Sequence, residues 1–427
     1  MKEDFLHYLW KFKKFNFLNV LTTQGEKLEI LQSGLHNTDF SGPDFFNAKI
    51  KIGAQTWAGN IEIHLKSSDW YAHNHQNDKS YDSVILHVVW EHDVEVFRND
   101  KTEIATLQLK EYCNLQILKN YQKLLHSTQK WINCEKDFAI FNNFQLNNWL
   151  EKLYIERLEA KSVVIFERLK ATDNDWEAVL FQLLCKNFGL NKNGAAFLEL
   201  AQSIPFSIIR KLENTLQLEA LLMGQGNLLI EDKEDVYYQQ LQKEYNFLQY
   251  KYSLTPICQN SIQFFRLRPC NFPTIRLSQL IQLYKENQHL FSQVKEVKTL
   301  EEYYNLFKIN TSTYWETHYS FGKESKKVTK NTTKSFINLL VINTLLPLQF
   351  AYQKYIGKDN IDHLLTVLKE LKAEDNSVIK KFNDLRKNTA NNALDSQALL
   401  QLKSFYCDNN KCLQCELGAS LLQSTRS

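Results

Sequence analysis

Hydrophobic and polar positions change period twice within the first hundred residues. Phe5, Leu6, Leu9, Trp10 and Phe12 recur at helical spacing, with Lys11, Lys13 and Lys14 on the remaining surface, which predicts a short helix over residues 5–13. From Phe17 the pattern becomes that of strands. Residues 17–22 and 27–32 flank Gln24-Gly25 and predict one hairpin; residues 45–52 and 57–66 flank Gly53-Ala54-Gln55 and predict a second. Residues 84–90 are almost continuously apolar, as expected of a strand covered on both faces. Residues 94–97 and 104–109, around Asn99-Asp100, predict two more strands.

Beyond Cys113 the period lengthens again. Leu146, Trp149, Leu150, Leu153, Tyr154 and Leu158 form a single apolar stripe, and residues 176–188 follow a cap predicted at Asn174 with Glu177 three positions on. Further helices are predicted at 194–203, 233–252, 276–308, 336–354, 361–371 and 394–404. The expected fold class is therefore α+β: a mixed sheet with flanking helices over residues 1–112, then a long all-α region over 113–427.

Composition sharpens this in three ways. Only 12 Gly and 6 Pro occur in 427 residues, below the usual shares of roughly 7% and 5%, which argues against an all-β or loop-rich chain. With 51 basic and 48 acidic residues the net charge is only +3, so any contact with nucleic acid must come from a local patch rather than a global field. The N-terminus lacks the apolar core and cleavage site of a signal peptide, and the uncharged run 335–352 is broken by Asn338, Asn343, Pro347 and Gln349. A cytoplasmic chain is expected, with that run a buried core helix, no membrane partner, and the eight cysteines reduced.

The candidate chemistry concentrates near the N-terminus. Strand alternation puts Glu62, His64 and Lys66 on one face while Ile61, Ile63 and Leu65 point into the core, and the second hairpin brings Asp44 toward them. Two carboxylates beside a base or cation can bind a divalent metal, Mg²⁺ or Mn²⁺, and stabilise charge on a phosphodiester. The bland alternative is a solvated sheet face. His73-x-His75-x-x-Asp78 adds a second ligand set, since imidazoles two apart share a face in extended chain and a carboxylate completes it; the competing reading is a polar connector. His87, in the covered strand, reads as a satisfied buried histidine.

Two signals lie further on. Arg266, Arg268 and Arg276 occur with Pro269 and Pro273 in eleven residues, a stiff loop running into a helix predicted to begin near Thr274, which suits phosphate contact as well as inter-helix pairing. Cys407, Cys412 and Cys415 gather three thiols in nine residues. Zinc or an iron–sulfur cluster there needs a fourth ligand from Cys270, Cys134 or His363.

The order helix, strands, Pro43-Asp44, hairpin, Glu62-x-His64, polar connection and covered strand resembles the PD-(D/E)XK nuclease core. That resemblance implies Asp44 and Glu62 as metal ligands, with His64 where the family usually has lysine and Lys66 on the same face to supply charge. Gly42-Pro43-Asp44, Glu62-Ile63-His64, Asp69-Trp70, residues 84–90, Arg266-Leu267-Arg268-Pro269 and the three C-terminal cysteines together resemble an uncharacterised bacterial domain-of-unknown-function family, DUF2851, which brings no established activity. The expected function is a divalent-metal-dependent nuclease acting on DNA or RNA. The alternatives are a nuclease-derived nucleic-acid-binding or scaffold protein, and a zinc-dependent hydrolase centred on His64, His73 and His75.

Overall fold

The computed structural model describes residues 1–38, 40–125, 130–259, 261–358 and 360–424. They form two compact units, one of residues 1–149 with 401–427 and the other of residues 150–400. The first unit extends past residue 112, where the sequence places the domain boundary. The reason is a shared core: Tyr121 and Leu124 of the helix Leu115–Leu125 and Leu422 of the C-terminal helix Glu416–Leu422 pack into the same apolar cluster as the N-terminal elements.

In the first unit, helix α1 (Glu3–Lys11) has Glu3 and Asp4 in its first turn and Lys11 in its last, charges that favour the helix dipole. It buries Phe5, Leu6, Leu9 and Trp10 completely. Strands β1 (Val20–Leu21), β2 (Lys27–Gln32), β3 (Leu35–His36), β4 (Phe45–Ile52), β5 (Gln55–Lys66), β6 (Val84–Glu91) and β7 (Thr106–Gln108) follow. The sheet order is β1-β2-β4-β5-β6-β7, with β3 also on β4. Pairings from β1 to β5 are antiparallel, whereas β5 with β6 and β6 with β7 are parallel. The sheet is thus mixed, as the alternation near the start and the continuous run at 84–90 require.

One irregularity decides which way the candidate residues face. Along β4 and β5, Ile52 pairs Gln55 and Ala48 pairs Gly59, but Phe45 pairs Ile61, so one residue is extra on β4. Asn47 absorbs it at φ +56°, a left-handed conformation that asparagine tolerates. Ala48, Ile50 and Ile52 face the core, and an unbroken alternation would send Phe46 and Asp44 inward with them. The bulge instead buries Phe45 and turns Asp44 to the side of Glu62.

A second constraint sits at Gly59. A Cβ there would lie 2.5 Å from both Ile85 Cγ2 and the Ser83 carbonyl oxygen, so only glycine lets β6 approach β5 at this point. Gly59→Ala should destabilise the first unit by about 1–3 kcal/mol, read as a lower urea midpoint. An unchanged midpoint would mean that the strands separate there at no cost.

The predicted hairpin around Asn99-Asp100 reduces to one bridge, Phe97 to Glu103, with only Thr106–Gln108 in the sheet. Side chains satisfy this loop in place of a ladder: Asp100 accepts from the Thr102 amide at 2.9 Å, and Arg98 donates to the carbonyls of Val84 and Glu103.

The second unit is helical among the described residues, apart from a short hairpin, His318–Ser320 with Lys323–Glu324. The helix Trp176–Phe188 is capped by Asp175, whose carboxylate accepts from the amides of Glu177 and Ala178, rather than by Asn174. The run predicted at 276–308 divides into Pro273–Glu286, Leu290–Val294 and Leu300–Phe307. Lys334–Tyr355 is the one described helix long and apolar enough to cross a membrane, and 72% of its apolar window is buried. A π-helical turn at Val341–Leu345 precedes Pro347, whose ring and missing amide disrupt the regular ladder.

Candidate metal centre and active site

Glu62 and His64 are successive outward positions on β5 and both are buried. The chain then turns through α2 (Asp69–Ala72) into His73, and Asn74, at φ +62°, pivots the backbone so that His73 and His75 both turn back onto the strand. One ring nitrogen from each of His64, His73 and His75 lies within 4.8 Å of the other two, the only such group of three or more His, Cys, Asp or Glu ligand atoms among the described residues. Glu62 Oε1 is 3.5 Å from His64 Nε2 and 3.4 Å from His75 Nε2, and His64 Nε2 is 3.1 Å from His73 Nδ1.

The rings are held from behind. His64 Nδ1 is 2.8 Å from Nε2 of the fully buried His87, which β6 places opposite Glu62. His75 stacks on Tyr81 with centroids 3.7 Å apart and meets Trp70 edge-on at 5.4 Å. Such contacts fix a ring's orientation and leave its outward nitrogen free to act.

Asp44 adjoins this cluster but is engaged differently. Its Oδ2 accepts from the Ile63 amide at 2.9 Å and contacts His7 Nε2 at 3.2 Å, while its own amide donates to Glu62 Oε2 at 3.1 Å. His7 in turn lies 3.4 Å from His36. A cavity of about 550 Å³ adjoins this side, lined by His7 and His36 together with Lys2, Lys11 and Lys411.

Burial sets the proton affinities. Desolvation, then the nearby Asp44 carboxylate, pushes Glu62 up to about 9. Desolvation, then His75 and His73, pushes His64 down to about 3. Burial also lowers His75, and it lowers His87 far below the usual imidazole value. Burial pulls His7 down, but hydrogen bonding and charge from Asp44, with Asp4 and Glu3, carry it above that value. At neutral pH, His64, His75 and His87 therefore have no charge, and the first two offer lone pairs rather than protons. A donor set of three imidazoles and a carboxylate fits a transition metal such as Zn²⁺ better than Mg²⁺, which prefers oxygen.

Other predicted site residues lie elsewhere. Lys66 is exposed at the end of β5, where its backbone amide donates to Asp69. Asp78 is exposed and caps the turn Lys79–Tyr81 through the Ser80 amide. In the second unit, Arg266 and Arg268 are exposed, but Arg276 is buried: its guanidinium bonds Asn271 and Gln279 and stacks 3.6 Å above the Phe336 ring. That arrangement serves packing and leaves no fork for a phosphate. The helix there begins at Pro273.

The sequence reading missed His7, His36 and the role of His87. A usable signal was present, because seven of the eleven histidines (7, 36, 64, 73, 75, 87 and 92) fall in the first 92 residues.

Comparison with known proteins returns no match among curated proteins and none among solved structures. A family model described as "Protein of unknown function (DUF2851)" matches residues 3–377. That stretch includes α1, the whole sheet and the histidine cluster, and on it the chain belongs to the DUF2851 family.

Proposed function

We propose that the first unit is a metal-dependent phosphodiesterase acting on nucleic acid, with a transition-metal ion held by His64, His73, His75 and Glu62. The observation that carries this reading is the convergence of three imidazoles within 4.8 Å, with Glu62 Oε1 beside two of them, His64 and His75, both uncharged at neutral pH. A bound ion would supply Lewis acidity and a water acidified toward neutral pH. The chain's own groups provide the rest. His7, above the ordinary imidazole value and paired with Asp44, is placed to donate a proton to a leaving oxygen. Lys2, Lys11 and Lys411 line the adjoining cavity, where a phosphate backbone would be drawn by charge.

The nuclease-like core belongs to this proposal. Supporting it are the element order of a helix, an antiparallel set ending in β4 and β5, a short helical crossover and a parallel strand, with Asp44, just before β4, adjacent to Glu62 on β5. The ion is assigned to the histidines rather than between the two carboxylates, because the Asp44 oxygen is already engaged by Ile63 and His7.

The test is cleavage of single- and double-stranded DNA and RNA with Zn²⁺, Mn²⁺ or Mg²⁺. Expected is cleavage that a chelator abolishes and that Zn²⁺ or Mn²⁺ restores better than Mg²⁺. The same engagement of Asp44 favours a second reading, a nuclease-derived binding protein; nucleic-acid binding with no cleavage under any metal would establish that one instead.

A further inference from the structure

Four of the eight cysteines meet in the first unit, far from the histidine cluster in sequence. Cys134 lines one small cavity together with Cys407, Cys412 and Cys415, and the remaining wall is mostly apolar, including Leu124 and Leu417. Cys134 thus comes to the three C-terminal thiols, while Cys270 belongs to the second unit and is exposed, and His363 is also in the second unit. The four sulfurs sense one another: burial raises Cys134 and Cys407 far above the ordinary thiol value, and neighbouring cysteines raise each further.

Donors nevertheless point at these sulfurs. Asn133 Nδ2 donates to Cys412 Sγ at 3.3 Å, and the backbone amides of Leu417 and Gly418 donate to Cys415. An N–H···S bond gains little from a neutral thiol and much from a thiolate. The loop is also built to close. A Cβ on Gly418 would lie 2.1 Å from the Cys412 carbonyl oxygen, so glycine alone permits this approach.

We propose that Cys134, Cys407, Cys412 and Cys415 bind an iron–sulfur cluster that ties the C-terminal segment to the first unit. Four thiolates are the usual ligand count for such clusters. Spacing separates this from a single zinc: Zn–S bonds of about 2.3 Å would hold tetrahedral thiolates about 4 Å apart, whereas no three of these sulfurs lie within 4.8 Å of one another. On binding, four thiols release four protons to solvent and form four Fe–S bonds to two Fe²⁺, two Fe³⁺ and four S²⁻ supplied together, the charges of a [4Fe–4S]²⁺ cluster. No electron changes hands in that step. The site is independent of the histidine centre and of the function proposed for it.

The experiment is anaerobic purification of the full chain, followed where needed by reconstitution with iron and sulfide. Iron, zinc, acid-labile sulfide and the visible spectrum are measured. Expected are iron and sulfide in equal amounts with charge-transfer absorption, lost in Cys134→Ser and kept in Cys258→Ser, whose thiol is exposed in the second unit. Zinc without sulfide would overturn the cluster. So would a wild-type chain that takes up neither iron nor sulfide, or a Cys134→Ser chain that retains both. Folding of the variant is followed by circular dichroism, and the wild-type measurement decides the question even if Cys134→Ser does not fold.

Discussion

Replacing His75 with alanine should lower the affinity for Zn²⁺ by at least about 100-fold, with cleavage at limiting metal falling in step. Changes behind a metal ligand typically cost about 10–100-fold, so removal of a direct ligand should reach at least the upper end. His75 is the ligand to choose because it is only partly buried and lies in the turn His75–Asn77, outside the sheet. Its loss deprives Glu62 Oε1 of one imidazole partner and leaves β5 and β6 intact. His92→Ala is the matched control, since His92 contacts Glu95 rather than the cluster. Competition against a chromophoric chelator gives the affinities; equal values for wild type and His75→Ala would remove His75 from the site.

In the metal-free first unit the histidine centre should contribute most to stability near pH 6.5 and less on both sides. His64, at about 3 when folded, and His87, also far below 6.5, contribute stability that is fully present above about 6.5. It is lost as pH falls, because the unfolded chain takes up protons that the folded one refuses. Glu62 works in the opposite sense. Raised from 4.5 to about 9, it contributes stability that is complete below 4.5 and lost as pH climbs toward 9. Between 4.5 and 6.5 the lowered His64, His75 and His87 together outweigh the one carboxyl, so the centre's contribution rises with pH in that window. Above 6.5 no histidine of the centre opposes Glu62, and His7, also raised on folding, adds to the decline in the first unit, while Lys161, lowered to about 7 by burial, works in the opposite sense in the second unit. Thermal unfolding of the first unit, followed in chelator between pH 4.5 and 9, should trace this maximum. Glu62→Gln should flatten the alkaline side, as should saturating metal, which ionises Glu62 in the folded state. A melting temperature that rises steadily across the range would contradict these assignments.

The parts of the fold that rest on local periodicity were legible in the sequence. Apolar spacing at Phe5, Leu6, Leu9 and Trp10 marks α1, and alternation through Ile61, Ile63 and Leu65 sets which side of β5 carries Glu62 and His64. What periodicity could not supply were events depending on a single backbone conformation or on distant chain. The bulge at Asn47 reverses the parity of Asp44, and no repeat in the sequence announces it. His73 and His75 converge through a left-handed Asn74, not through the extended chain that their spacing suggests. His7 reaches Asp44 from a helix 37 residues earlier, and Cys134 joins thiols near the other end of the chain. Arg276 illustrates the opposite error: a basic loop looks like an anion site, yet an aromatic ring and two amides had already claimed the guanidinium.

X-ray absorption at the zinc edge, on protein loaded with one equivalent of Zn²⁺, addresses the histidine centre most directly. The predicted result is a first shell of nitrogen and oxygen at about 2.0–2.1 Å, with outer-shell scattering from three imidazoles that drops to two in His75→Ala. A first shell without imidazole scattering would contradict it.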